Sequence, residues 1–102
     1  MAFRMHSHSW TYLSNHAHVL VCLAQQPDAR IRDIAEAVGI TERAVQNIVN
    51  DLDSAGAISR VRDGRRNHYE VNREATLRHP VEAQGRVGDI LDALAESSPP
   101  AE

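Results

Sequence analysis

The twenty residues from Ile31 to Asn50, IRDIAEAVGITERAVQNIVN, allow few folds. Ile34 and Val38 lie one helical turn apart, and Val45, Ile48 and Leu52 repeat at the same kind of spacing, so each half carries one apolar stripe. Gly39 separates the halves, at the place where a residue free to take positive φ ends a helix and turns the chain. Ala35 is small enough to let two helices cross closely. Ile40 fills the angle between them, and Thr41 is placed as N-cap of the second. The pattern predicts two short helices packed across a tight turn, with Glu42, Arg43, Gln46, Asn47 and Asn50 facing outward.

The runs Ala57 to Arg62 and Asn67 to Val71 read as strands, apolar at Ile58 and Val61 in the first and at Tyr69 and Val71 in the second. Asp63-Gly64-Arg65-Arg66 joins them, and Asp-Gly between two such runs is a strong hairpin signal. Arg30 and Ile31 are expected to add a third, very short strand to the same sheet. Upstream, a helix starts at Ser14 or Asn15 and ends at Gln25 or Gln26, stopped by Pro27. Its middle, Ala17 to Ala24, is apolar nearly all round apart from His18, so it needs cover on more than one side.

Downstream, Asn72 is placed to cap a last helix that Pro80 kinks or restarts. Val81, Val87, Ile90, Leu91 and Leu94 form its stripe, and Ser97-Ser98-Pro99-Pro100 ends it. The expected fold is mainly α with a small β-hairpin wing, a winged helix-turn-helix. Its organisation is read as an N-terminal arm over 1–13, the winged unit over 14–72, a dimerisation helix over 73–96 and a disordered tail over 97–102. Trp10, Leu13, Val87, Ile90, Leu91 and Leu94 are assigned to an antiparallel seam between two copies.

Charge divides along the chain. The 102 residues carry a net charge of -3, which argues against a nonspecific nucleic-acid coat. From Ser59 to Arg73, however, five arginines face two acids, a net of +3, whereas Glu74 to Glu102 holds two arginines and six acids, a net of -4. A basic hairpin on an acidic body is what a groove-binding wing produces. An outward helix face of guanidinium and amides suits the base edges of a DNA major groove.

From Trp10 to about Leu94 the chain resembles small prokaryotic winged helix-turn-helix transcriptional regulators of the MarR and ArsR type. The residues that carry the resemblance are Asn15-His16-Ala17-His18-Val19-Leu20, the run from Ile34 to Val45, and Gly64-Arg65-Arg66-Asn67. In that family the second helix of the motif reads the major groove and a wing arginine enters the neighbouring minor groove. The resemblance therefore implies that Thr41, Glu42, Arg43, Gln46 and Asn47 face bases and that Arg65 and Arg66 sit on the wing. Arg30, Arg32, Asn50 and Arg62 are added to the DNA-binding set, the first two as phosphate contacts. The chain is shorter than typical members, without most of the long flanking helices that build their dimer and effector pocket. The expected partners are double-stranded DNA and a second copy, with no effector assigned.

Two other readings stay open at this stage. A winged helix can be a protein-interaction module, which the net negative charge favours. Alternatively, His6 and His8, or His16 and His18, with Cys22 or His79, could make the protein a metal- or redox-responsive regulator. Residues two apart on a helix point to different sides, so His16 and His18 do not readily share one ion, and Cys22 lies in an apolar run with no cation near it in sequence. No metal site or cofactor is therefore assigned. The chain has no Gly-rich phosphate loop, zinc-protease spacing or nucleophile elbow, and no enzyme activity is expected. The apolar run Val19 to Ala24 is too short to span a bilayer, and a lone cysteine forms no internal disulfide, so a soluble, cytoplasmic protein is expected.

Overall fold

The structure, a computed structural model, describes residues 10–95. Four helices and one hairpin follow in the order α1 (Asn15–Gln25), α2 (Ile31–Val38), α3 (Glu42–Ser54), β1 (Ile58–Asp63), β2 (Arg66–Val71) and α4 (Val87–Ala95). Helix α1 starts where the Ser14 side chain accepts from the Ala17 amide, and Pro27 lies two residues past its end. Gly39 closes α2 in the left-handed conformation, at φ 87°, and its amide donates to the Ala35 carbonyl. The Thr41 hydroxyl then accepts from the Ala44 amide at 3.0 Å and opens α3. Each of these boundaries is the expected one.

Val19, Leu23, Ile34, Val45 and Val49 are sealed from solvent and form the centre of the core. Helix α1 touches α2, α3 and β2, which makes it the beam on which the motif and the hairpin both rest. Val49 completes the α3 stripe of Val45, Ile48 and Leu52, while Val38 and Ile40 are half-buried at its rim.

The hairpin pairs Ile58 with Val71 and Asp63 with Arg66, leaving Gly64 and Arg65 as a two-residue turn. Gly64 has φ 67° and no other residue type adopts positive φ among the described residues, so glycine occupies the first turn position. That arrangement matches the strand twist. Ile58 and Tyr69 are buried on the inner face. Val61, the other apolar residue of the first run, is 47% exposed. Positions three apart on a strand point to opposite sides, and Val61 pairs with His68 on the outer one.

Among the described residues the sheet has two strands. Arg30 is the N-cap of α2 and Ile31 its first residue, so neither joins the sheet. One hydrogen bond takes that place: the Tyr69 amide donates to the Pro27 carbonyl at 2.9 Å.

No continuous helix follows the wing. Asn72 does cap, but its side chain closes a turn on the Glu74 amide rather than opening a helix. Residues 73–86 form a loop clasped by a bridge between Thr76 and Arg86, with a single 3-10 turn at Pro80–Glu82. Pro80 lacks the amide a helix would need, and the Leu77 and Val87 amides find carbonyl partners across the loop at Gly85 and Ala75. Val81 is consequently 83% exposed. Helix α4 turns Val87 and Leu91 into the chain's own core, which removes both from the expected intersubunit seam.

These placements separate two apolar residues by their cost. In urea denaturation Leu23→Ala is expected to lower unfolding free energy by about 2–5 kcal/mol. Val81→Ser should change it by no more than about 0.5 kcal/mol.

Candidate nucleic-acid interface

The opposite side of α3 from its core stripe is open. Glu42, Arg43, Gln46, Asn47 and Asn50 are all exposed, and Arg43, Asn47 and Asn50 follow one another at four and three residues, a single lengthwise row. Arg43, Gln46 and Asn47 make no side-chain hydrogen bond among the described residues, so their donors and acceptors are available. Thr41 accepts from Ala44 through its hydroxyl oxygen and keeps its own O–H to donate. The amides at the start of α3 lie beside it, at the positive end of the helix dipole.

The arginines assigned from sequence divide into free and tethered. Arg32 and Arg65 are exposed and unpaired among the described residues, Arg65 at the hairpin turn. Arg30 faces Asp33 at 3.8 Å, an exposed pair that water screens heavily. Arg62 folds back so that its Nε donates to the Gly64 carbonyl at 3.0 Å. Arg66 donates through Nη2 to the Asp28 carbonyl at 3.1 Å, which ties it to the loop before α2.

Asp28 grips the hairpin a second time, because its carboxylate meets His68 Nδ1 at 2.7 Å. That hydrogen bond raises the His68 pKa above its usual 6.5, opposed by partial desolvation and helped by the charges of Asp28, Glu70 and Asp63. With the Tyr69 amide bonded to Pro27, three contacts fasten β2 to the turn between α1 and α2. Neither Asp28 nor His68 carries a local sequence signal, since they stand 40 residues apart. Arg60 is another functional neighbour not assigned from sequence: it reaches from β1 to Asn50 and Asp53 on α3. Alternation along β1 was the available clue, because Arg60 falls on the inner face with Ile58.

The remaining polar candidates have ordinary partners. His16 Nε2 meets Asp51 at 2.9 Å and His18 Nδ1 meets Asn15 at 3.1 Å. Among the described residues no three His, Cys, Asp or Glu side chains converge as a metal site, and His6 and His8 lie outside those residues. Burial pushes the Cys22 thiol above its ordinary range, which disfavours the reactive thiolate. No helix among the described residues is long and apolar enough to cross a membrane. At the seam assigned from sequence, Trp10 is 66% exposed and packs edge-on against Tyr12, while Leu13, Ile90 and Leu94 are half-buried. An apolar groove of about 410 Å³ runs between Tyr12, Leu20, Leu52, Leu77 and Ile90.

Comparison with known proteins agrees with this geometry. The family model of the MarR family matches residues 14–66. Among solved structures, the chain is similar to MepR, a transcription regulator of the Staphylococcus aureus multidrug efflux pump MepA, at 22% identity over 82% of this chain and 56% of that one, with TM-score 0.53. It is similar to the PcaV transcriptional regulator from Streptomyces coelicolor, solved with its natural ligand, at 24% identity over 85% of this chain and 63% of that one, with TM-score 0.54. Lactococcus lactis ZitR, solved in complex with DNA, is 23% identical over 88% of this chain and 62% of its own, with TM-score 0.54. Identities this low speak for the fold, and the chain spans less than two thirds of each of these proteins. No curated protein matches it.

The clasp between Asp28 and His68 gives the hairpin a pH dependence. A folded-state pKa raised above the unfolded value stabilises the fold fully below about pH 6.5, and the contribution disappears as pH rises through the higher folded value. The melting temperature is expected to fall between about pH 6 and pH 8 by an increment that Asp28→Asn abolishes. A proton NMR titration of His68 should place its midpoint above 6.5 in the native protein and lower in that variant.

Proposed function

The chain belongs to the MarR family, whose members are transcription regulators rather than enzymes, and on that premise we propose that it is a homodimeric regulator that binds double-stranded DNA by sequence. One observation carries this reading: Arg43, Gln46, Asn47 and Asn50 stand exposed together on a helix whose other side is anchored in the core. Solvent-facing amides and a guanidinium held on a rigid rod can match the donor and acceptor pattern of the major groove. The structure of ZitR with DNA supports the same use of the fold.

In this mechanism the first amides of α3 and the Thr41 hydroxyl meet a backbone phosphate, with Arg30 and Arg32 on neighbouring ones, and together they set the register. Arg43, Gln46 and Asn47 then choose bases, while Glu42 disfavours acceptor-rich edges beside it. Arg65 approaches the adjacent minor groove from the hairpin turn, and Arg62 and Arg66 add positive charge along the strands. Binding then weakens with salt in proportion to the phosphates neutralised.

The second copy is proposed to cover Trp10, Tyr12, Leu13 and Ile90, aromatic and aliphatic surface that a lone chain leaves in water. Twofold pairing there would place the two α3 helices on half-sites about one DNA turn apart. The N-terminal arm, the winged unit and the region after it divide the work accordingly. Of the arm assigned over 1–13, residues 1–9 lie outside the described residues, as does the tail over 97–102.

Duplex selection and affinity measurements at several salt concentrations test the assignment. Arg43→Ala should cost about 1–3 kcal/mol against the preferred sequence and relax the choice of base. Arg65→Ala should weaken all duplexes alike and reduce the salt slope by about 1. Unchanged affinity in both variants would overturn the face assignment. Sedimentation should show a dimer that Ile90→Glu converts to monomer.

A further inference from the structure

Arg60 stands on β1 with its guanidinium turned to the C-terminal half of α3. Its Nη2 donates to Asn50 Oδ1 at 2.8 Å, and Nε and Nη2 both donate to Asp53 Oδ2, at 3.3 and 3.2 Å. The Asp53 and Arg60 side chains are 42% and 28% exposed, so the clamp lies at the edge of the α3 face rather than under it.

This contact constrains what Asn50 can offer. An unrestrained Asn side chain presents an acceptor and a donor side by side, the pair that fits adenine N6 and N7. A guanidinium is donor-only, so whatever it bonds in Asn50 is the carbonyl oxygen, and the NH2 group is left on the side away from β1. The positive charge beside that oxygen also repels the amino group of an adenine that would seek to donate to it. Asn50 therefore faces outward as a donor, and a donor in the major groove matches the O6 and N7 acceptors of guanine. It occupies the same exposed row as Arg43 and Asn47, which places it where base edges pass.

We propose that Arg60, braced by Asp53, is a positioning residue that locks the Asn50 amide with its NH2 outward and so makes Asn50 select guanine over adenine. The inference rests on the DNA-binding reading above and adds to it a specificity determinant that touches no base itself. Arg60 acts through Asn50, and Asp53 acts through Arg60.

Selection from a random duplex library with the full chain tests the idea, using the native protein, Asn50→Ala, Arg60→Lys and the double replacement Arg60→Met with Asp53→Ala. Asn50→Ala identifies the position that Asn50 reads, as the one whose preference disappears. The native protein should favour guanine there over adenine by about tenfold, and Arg60→Lys, which keeps a donor-only cation, should retain that choice. The double replacement frees the amide and should move the preference to adenine. A lost fold would not imitate this result, because it removes enrichment at every position instead of exchanging one base for another. Melting curves confirm that each variant is folded. Adenine already preferred by the native protein at that position, guanine retained by the double variant, or no position dependent on Asn50 would each overturn the proposal while leaving the DNA-binding reading in place. Absence of any enriched sequence with the native protein would remove that reading and this inference together.

Discussion

The aliphatic junction of α1 with α2 and α3 is the constraint on which the rest of the molecule depends. Val19 and Leu23 from α1, Ile34 from α2, and Val45 and Val49 from α3 exclude water completely, and no buried polar side chain interrupts them. Close packing of branched side chains resists sliding and rotation, so each helix has one favoured orientation about its axis. The rotation of α3 about its axis determines which residues face out. Loosening this junction would leave Arg43, Gln46 and Asn47 with the same chemistry but no defined direction.

Two polar clamps then carry the orientation from the helices to the hairpin. Arg60 joins β1 to Asn50 and Asp53, and the Asp28 loop holds β2 through His68, Arg66 and the Tyr69 amide. A two-stranded hairpin alone is marginal in water, so support from both edges is what lets it hold Arg65 at a fixed place beside α3. Each clamp uses charged or exposed groups. They contribute little to overall stability and much to geometry.

Much of this was legible in the residues. Ser14, Pro27, Gly39 and Thr41 act within a few positions of themselves, through caps, a missing amide or a positive φ, and the helices they bound fall where expected. Strand alternation places Val61 opposite Ile58, and Arg60 was overlooked although the same alternation turns it inward. The region after Asn72 was harder. Val81 was read into one stripe with Val87, Ile90, Leu91 and Leu94 although six residues from Val87 is off that face of a helix, and Pro80 and the cross-loop bonds of Leu77 and Val87 favour a loop, with α4 over Val87–Ala95 the α-helix that follows among the described residues. Whether Val87 and Leu91 turn toward a second copy or toward their own core depends on where the loop delivers α4, and spacing carries no record of that.

By itself, then, the order of amino acids determined the local events: where helices begin and stop, where the hairpin turns, and which residues are too polar to enter a core. Those outcomes depend on interactions within a turn or two of the chain, which a linear pattern contains. Only the tertiary structure decided that Asp28 grips a strand 40 residues away, that Arg60 restrains Asn50, and that α4 packs inward. These contacts join segments that meet only after the core has assembled, and their partners are ordinary surface residues whose types do not announce a pairing.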